Sequence, residues 1–141
     1  SFLVGNSINQ RPDLFAGGIF QAGLPDLVTH RDAAYARERG TVGDIATREG
    51  FESLYSISAL YHIPEEKQLP AMLVVHGATD YIINLSGPAR YVATLQQKQK
   101  GHRPQLLFVN WEGGHSSSTF DEIIGTLKFI LWQSGHPDFQ P

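Results

Sequence analysis

Leu73-Val74-Val75-His76-Gly77-Ala78-Thr79-Asp80 is an apolar run, rich in β-branched residues, that ends in a loop of small residues holding one carboxylate. Leu106-Leu107-Phe108-Val109-Asn110-Trp111 leads in the same way into Glu112-Gly113-Gly114-His115, a turn holding one histidine. The first pattern is strand, loop, acid; the second is strand, loop, histidine, helix. Asp80 and His115 lie 35 positions apart, with a helical pattern between them. That is one strand–helix–strand crossover, which sets the two loops side by side. Open α/β sheets place their ligands at this carboxyl edge.

The flanking sequence extends the alternation. Residues 1–10 read as the later part of a helix, and Arg11-Pro12-Asp13 breaks it. Residues 14–23 read as a short buried strand whose small residues let a helix pack closely, and Leu24-Pro25-Asp26 leaves it at its carboxyl end. Residues 28–39 are mostly polar with Ala and Tyr, as in a solvated helix or long loop, and residues 40–44 form a turn. Phe51, Leu54, Tyr55 and Ile57 make a helical stripe within 48–60. Pro64 and Pro70 bracket a polar loop before the central strand, 71–78. Pro88 suits a helix start, where a missing N–H costs little, and 89–100 continues as a helix with Gly101 as its stop. After the last strand, 105–111, Ser116 to Thr119 offer N-cap side chains, and Asp121 and Glu122 suit the positive end of a final helix. The order predicts an α/β fold: a parallel sheet of about three strands flanked by helices. So small a sheet has an open edge, and further strands are expected ahead of residue 1.

Composition narrows the function. The chain has 141 residues, 41% of them apolar, enough for one domain or part of one. A net charge of −3 gives no reason to expect nucleic acid or an anionic membrane as partner. Cysteine is absent, which removes disulfides and thiol chemistry and leaves the compartment undetermined. No apolar run approaches the ~18 residues of a membrane span. No basic segment precedes an apolar one at the start, as a signal peptide requires. The only methionine is Met72, so the chain reads as an excerpt that begins inside an element.

The residues resemble a known family. Phe2-Leu3-Val4-Gly5, Ile8-Asn9-Gln10-Arg11-Pro12-Asp13-Leu14-Phe15, Gly40-Thr41-Val42, Glu49-Gly50-Phe51, Pro70 to Leu73, Gly77 to Asp80, Tyr91 to Gln96 and Gly113-Gly114-His115 resemble the C-terminal part of the catalytic domain of the prolyl oligopeptidase family. These are serine peptidases of the α/β-hydrolase fold. The INQRPDLF run is the specific part of the match; Gly-x-x-Asp followed by Gly-His would fit any α/β-hydrolase. The resemblance implies that residues 1–141 are the later part of a peptidase catalytic domain, with the nucleophile elbow and any β-propeller upstream. It sets Ser1 on the last glycine of Gly-x-Ser-x-Gly-Gly, and so the nucleophile about three residues earlier, in the chain order Ser, acid, His.

The resemblance also assigns roles. Asp80 and His115 are the expected catalytic acid and base; Leu24 is expected to line a proline pocket or to be ordinary core; Tyr35 stands near the position of a tryptophan that stacks on the substrate proline. Ile82 replaces an arginine that binds substrate in many members, Ile83-Asn84-Leu85 replaces the usual Val-Pro, and Ser58-Ala59 replaces Ser-Pro. These changes bear on proline specificity more than on hydrolysis. The expected activity is hydrolysis of short peptides on the carboxyl side of proline, with a peptide substrate and the upstream polypeptide as partners and no cofactor. An esterase of the same fold and a non-catalytic binding module remain open.

Read without the resemblance, Asp80 fits an Asx-turn and His115 a surface turn. Of the other histidines none pairs at a metal-ligand spacing, so no metal is expected, and His76 reads as a hydrogen-bonded core residue. Ser7 and Ser116 to Ser118 have no nucleophile-elbow context.

Overall fold

The computed structural model describes residues 2–29, 43–116 and 118–141. Tyr35, and most of the 28–39 stretch, lie outside the described residues.

Three strands form one parallel sheet in the order β1–β2–β3: β1 Gly17–Gln21, β2 Ala71–Gly77 and β3 Gln105–Asn110. Gly17 pairs with Ala71, and Met72 with Gln105. The central strand is buried at every position, as a strand covered on both faces must be. Its side chains alternate between two cores. Met72 and Val74 point into a cluster with Ile8, Phe20, Leu60, Tyr91 and Leu95. Ala71, Leu73 and Val75 point to the other side, onto Phe129, with Ile19, Phe108 and Trp132 packed around them.

The helices follow from this division. Helices α1 (Phe2–Gln10) and α3 (Ser86–Lys98) cover the first face, and α4 (Phe120–Gln133) covers the second. Helix α2 (Arg48–Ile57) starts at Thr47, whose hydroxyl accepts from the Gly50 N–H, and buries Leu54 in a third cluster with Leu24, Leu27 and Ile83. A 3₁₀ turn, Ala59–His62, follows it.

Several element bounds differ from the sequence expectation. The first strand is Gly17–Gln21 rather than 14–23, because Pro12–Leu14 closes a 3₁₀ turn and Ala22 turns the chain with φ +43°. Helix α2 stops at Ile57, where Ser58 turns its hydroxyl back to the Leu54 carbonyl (2.7 Å). Helix α3 begins three residues before 89 and takes Pro88 into its first turn, where amide protons have no intrahelical partner. It ends at Lys98 in an extended Gln99, so Gly101 is not its cap.

One face of α4 is left uncovered: Phe120, Ile123, Leu127 and Ile130 are exposed at successive turns. Among the described residues no helix is long and apolar enough to cross a membrane.

Candidate active site

The loops after β2 and β3 are stitched together before either functional side chain is considered. The Ala78 N–H donates to the Asn110 carbonyl (2.8 Å), and both the N–H and the hydroxyl of Thr79 donate to the Gly113 carbonyl (3.1 and 2.9 Å). Gly77 makes this approach feasible. A Cβ there would lie 2.3 Å from the Gly113 oxygen and 2.5 Å from the Gly114 oxygen, closer than any side chain tolerates.

Asp80 sits at the end of that tight turn with its side chain buried. Its Oδ1 accepts from the Ile82 and Ile83 N–H groups (2.8 and 2.9 Å), which makes an Asx-turn. Its Oδ2 faces Nδ1 of His115 at 2.9 Å. The Asp therefore closes its own loop with one oxygen and holds the histidine with the other. Burial pushes its pKa up, but the Ile83 N–H, His115 and the Ile82 N–H outweigh burial and hold the carboxyl below the usual aspartate range.

A second histidine shares the carboxylate. His76 is buried, with Nε2 2.8 Å from the Ile83 carbonyl and 3.4 Å from Asp80 Oδ2. A carbonyl only accepts, so Nε2 carries the proton and Nδ1 is left as a bare acceptor; that atom is buried without a hydrogen-bond partner among the described residues. This is the hydrogen-bonded core histidine expected from the sequence.

His115 is partly open, its side chain 29% exposed. With Asp80 accepting at Nδ1–H, neutral imidazole keeps its lone pair on Nε2, on the side away from the carboxylate. A partly exposed imidazole with a buried, ionised acid behind it can take a proton at Nε2, and the acid stabilises the resulting imidazolium.

Of the other expected site residues the structure describes Leu24, which was expected to line a pocket or to be ordinary core. Leu24 is only 5% exposed and packs with Leu27, Leu54 and Ile83, with Ile82 against the same cluster. It thus lies beneath the Asp80 loop rather than on an open surface. Among the described residues no group of three His, Asp or Glu side chains could hold a metal ion.

Three features escaped the sequence reading. Tyr81 and Trp111, next to Asp80 and at the head of the histidine loop, are 82% and 75% exposed; exposed aromatics beside a loop site are the signal that could have marked them. Asp26 is buried and collects the Val28 and Thr29 N–H groups, the Thr29 and Tyr61 hydroxyls and Arg90. Burial pushes its pKa up, yet these partners, Thr29 foremost, hold it below the usual range. Glu122 is also buried, and nothing in the sequence pattern distinguishes it from a first-turn acid.

Comparison with known proteins decides the family. The profile of the prolyl oligopeptidase family matches residues 1–133. The chain belongs to the prolyl oligopeptidase family. A prolyl endopeptidase of Elizabethkingia miricola is 26% identical over 142 residues, covering 94% of this chain and 20% of that protein. The chain thus spans about a fifth of the length of the curated relatives it matches. Among solved structures, oligopeptidase B of Trypanosoma brucei with covalently bound antipain superposes with a TM-score of 0.79 at 21% identity, covering 92% of this chain and 19% of that one. Apo prolyl oligopeptidase B of Galerina marginata gives 0.69 at 21% identity, covering 89% and 18%. These likenesses establish the fold, that of the α/β-hydrolases.

Proposed function

We propose that this chain carries the acid and the base of a serine-peptidase triad, Asp80 and His115, and that the whole protein hydrolyses short peptides on the carboxyl side of proline. The reading rests on one observation: a buried Asp80 carboxylate, pinned by two backbone amides, 2.9 Å from Nδ1 of a half-exposed imidazole. In this reading residues 1–141 are the later part of a catalytic domain, and the nucleophile and any β-propeller come from upstream polypeptide.

His115 Nε2 takes the hydroxyl proton as the serine oxygen attacks the scissile carbonyl. The carbonyl electrons move onto oxygen, and Asp80 stabilises the imidazolium. His115 then returns that proton to the leaving amine as the C–N bond breaks. Water repeats the cycle on the acyl-enzyme and releases the acid. Tyr35 is proposed as an aromatic contact of the substrate, and Leu24 as the buried floor that supports the Asp80 loop beside it.

One observation favours a second reading. Ile82 stands where many members carry a substrate-binding arginine, and its side chain packs on the Leu24 cluster. An esterase of the same fold needs no such cation.

The test is a fluorophosphonate probe on the full-length protein, with the labelled serine mapped, beside turnover of proline peptides and of simple esters. The proposal expects one labelled serine, loss of labelling in His115→Ala, and faster turnover of the peptides. Labelling and turnover undiminished in His115→Ala reject the triad, and ester-only turnover selects the esterase. Absence of both labelling and turnover in the wild type selects the non-catalytic module.

A further inference from the structure

Glu122 is a buried titratable group that the mechanism does not use. It is 5% exposed and stands at the third position of α4, after the N-cap Thr119. A Thr-x-x-Glu sequence at a helix start ordinarily forms a capping box, in which the glutamate turns back to the N-cap amide. Here only half of the box is built. The Glu122 N–H donates to the Thr119 hydroxyl (3.3 Å), but the carboxylate reaches across the top of the sheet. Its Oε1 accepts from the Gln21 side-chain amide (2.5 Å) and the Ser118 hydroxyl (3.5 Å), and its Oε2 accepts from the Asn110 side-chain amide (3.1 Å). No ion pair reaches it among the described residues.

Those partners are the two ends of the histidine loop and the end of β1. Asn110 is the last residue of β3 and the hub of the histidine loop: its Oδ1 accepts from the Glu112 N–H (3.3 Å), and its carbonyl accepts from Ala78 and Gly113. Ser118 and Thr119 are the other end of the same loop. Gln21 closes β1 and leads into Leu24. One carboxylate thus ties both ends of the loop that carries His115 to the end of β1, three residues before Leu24.

We infer that Glu122 is a positioning residue: its carboxylate fixes the 110–119 loop so that the His115 imidazole stays on Asp80. The inference rests on the triad reading above. Removing the carboxylate leaves Asn110, Gln21 and Ser118 without their shared acceptor and lets both loop ends shift. Such a shift misplaces a proton-transfer group, which lowers kcat rather than raising KM.

The test uses the full-length protein with Gln21→Glu, Glu122→Gln and the double variant. Glu122→Gln leaves one acceptor oxygen for two amide donors, so its NH₂ faces the NH₂ of Gln21 or of Asn110. Gln21→Glu sets two carboxylates together. The double variant restores one donor and one acceptor and leaves the residue 122 carbonyl for Asn110. Expected are a fall of about tenfold or more in kcat for each single variant, KM within about twofold, and recovery of most of the loss in the double variant. The downfield Nδ1–H proton resonance of His115 should weaken in the single variants and return in the double. That signal reports on the loop even if the protein hydrolyses nothing, so its behaviour is separable from the fate of the triad reading. A Glu122→Gln protein with wild-type kcat and an unchanged His115 resonance overturns the inference, as does a double variant no better than Glu122→Gln. A single variant that fails to fold leaves the decision to the double, whose resonance and kcat must then match wild type.

Discussion

Asp80→Asn is the substitution whose outcome the structure specifies in most detail. The aspartate accepts at Oδ1 from the Ile82 and Ile83 amides and at Oδ2 from His115 Nδ1. Asparagine keeps one acceptor oxygen and gains two N–H donors. With its oxygen towards the two backbone amides, its NH₂ faces His115 Nδ1. The imidazole must then accept at Nδ1 and carry its proton on Nε2, which is the wrong tautomer for a base. The flipped amide would set NH₂ against two backbone donors, leaving buried groups unsatisfied at about 1–3 kcal/mol each. The wrong tautomer is therefore the stable one. The loss in kcat should be about 10⁴, the magnitude known for this substitution in the serine-protease triad and borrowed from it. It corresponds to about 5.5 kcal/mol of transition-state stabilisation at ~1.36 kcal/mol per tenfold. KM should change little, since the turn keeps its acceptor and the altered group is the base. The assay is steady-state turnover of a proline-containing chromogenic peptide by the full-length wild type and variant. Retention of more than about a tenth of wild-type kcat refutes the argument, because a base held in the wrong tautomer cannot sustain it.

Gly77→Ala should cost most of the activity while leaving substrate affinity nearly intact, because the new Cβ must push the Gly113-Gly114 backbone, and His115 with it, off the Asp80 loop; paired kcat and KM measurements check this. Asp26→Asn should destabilise the fold by about 1–3 kcal/mol at neutral pH, since a buried acceptor of five donors loses its charge. The folded pKa of Asp26 is lowered, so its contribution is fully present above the unfolded value of about 4 and is lost as pH falls through the folded one. The thermal midpoint of wild type should thus fall more steeply below pH ~4 than that of Asp26→Asn; parallel slopes would rule Asp26 out as the source. The 141-residue chain expressed alone should self-associate through the exposed α4 stripe, and Ile123→Lys with Leu127→Glu should shift it towards monomer in light scattering.

The sequence by itself determined the frame and the two principal residues of the candidate site. Strand, loop and helix signals are local: β-branched runs at 73–75 and 106–109, small residues at 77–79 and 113–114, and capping side chains before 120 act on their own neighbours in the chain. The parallel order and the meeting of the Asp80 and His115 loops follow from the length of one crossover between them. Tertiary structure alone decided what each polar side chain does once it arrives. Asp80 divides its two oxygens between its own turn and His115. Asp26 takes Arg90 from α3 and Tyr61 from a turn far along the chain. Glu122 leaves its capping box for Gln21, about a hundred residues earlier. Leu24 goes under the Asp80 loop. Periodicity reports whether a position faces water or core, and a capping motif reports which acceptors lie within a turn. Neither says which distant donor will fill a buried carboxylate, because that partner is set by the packing of elements that the pattern only orders.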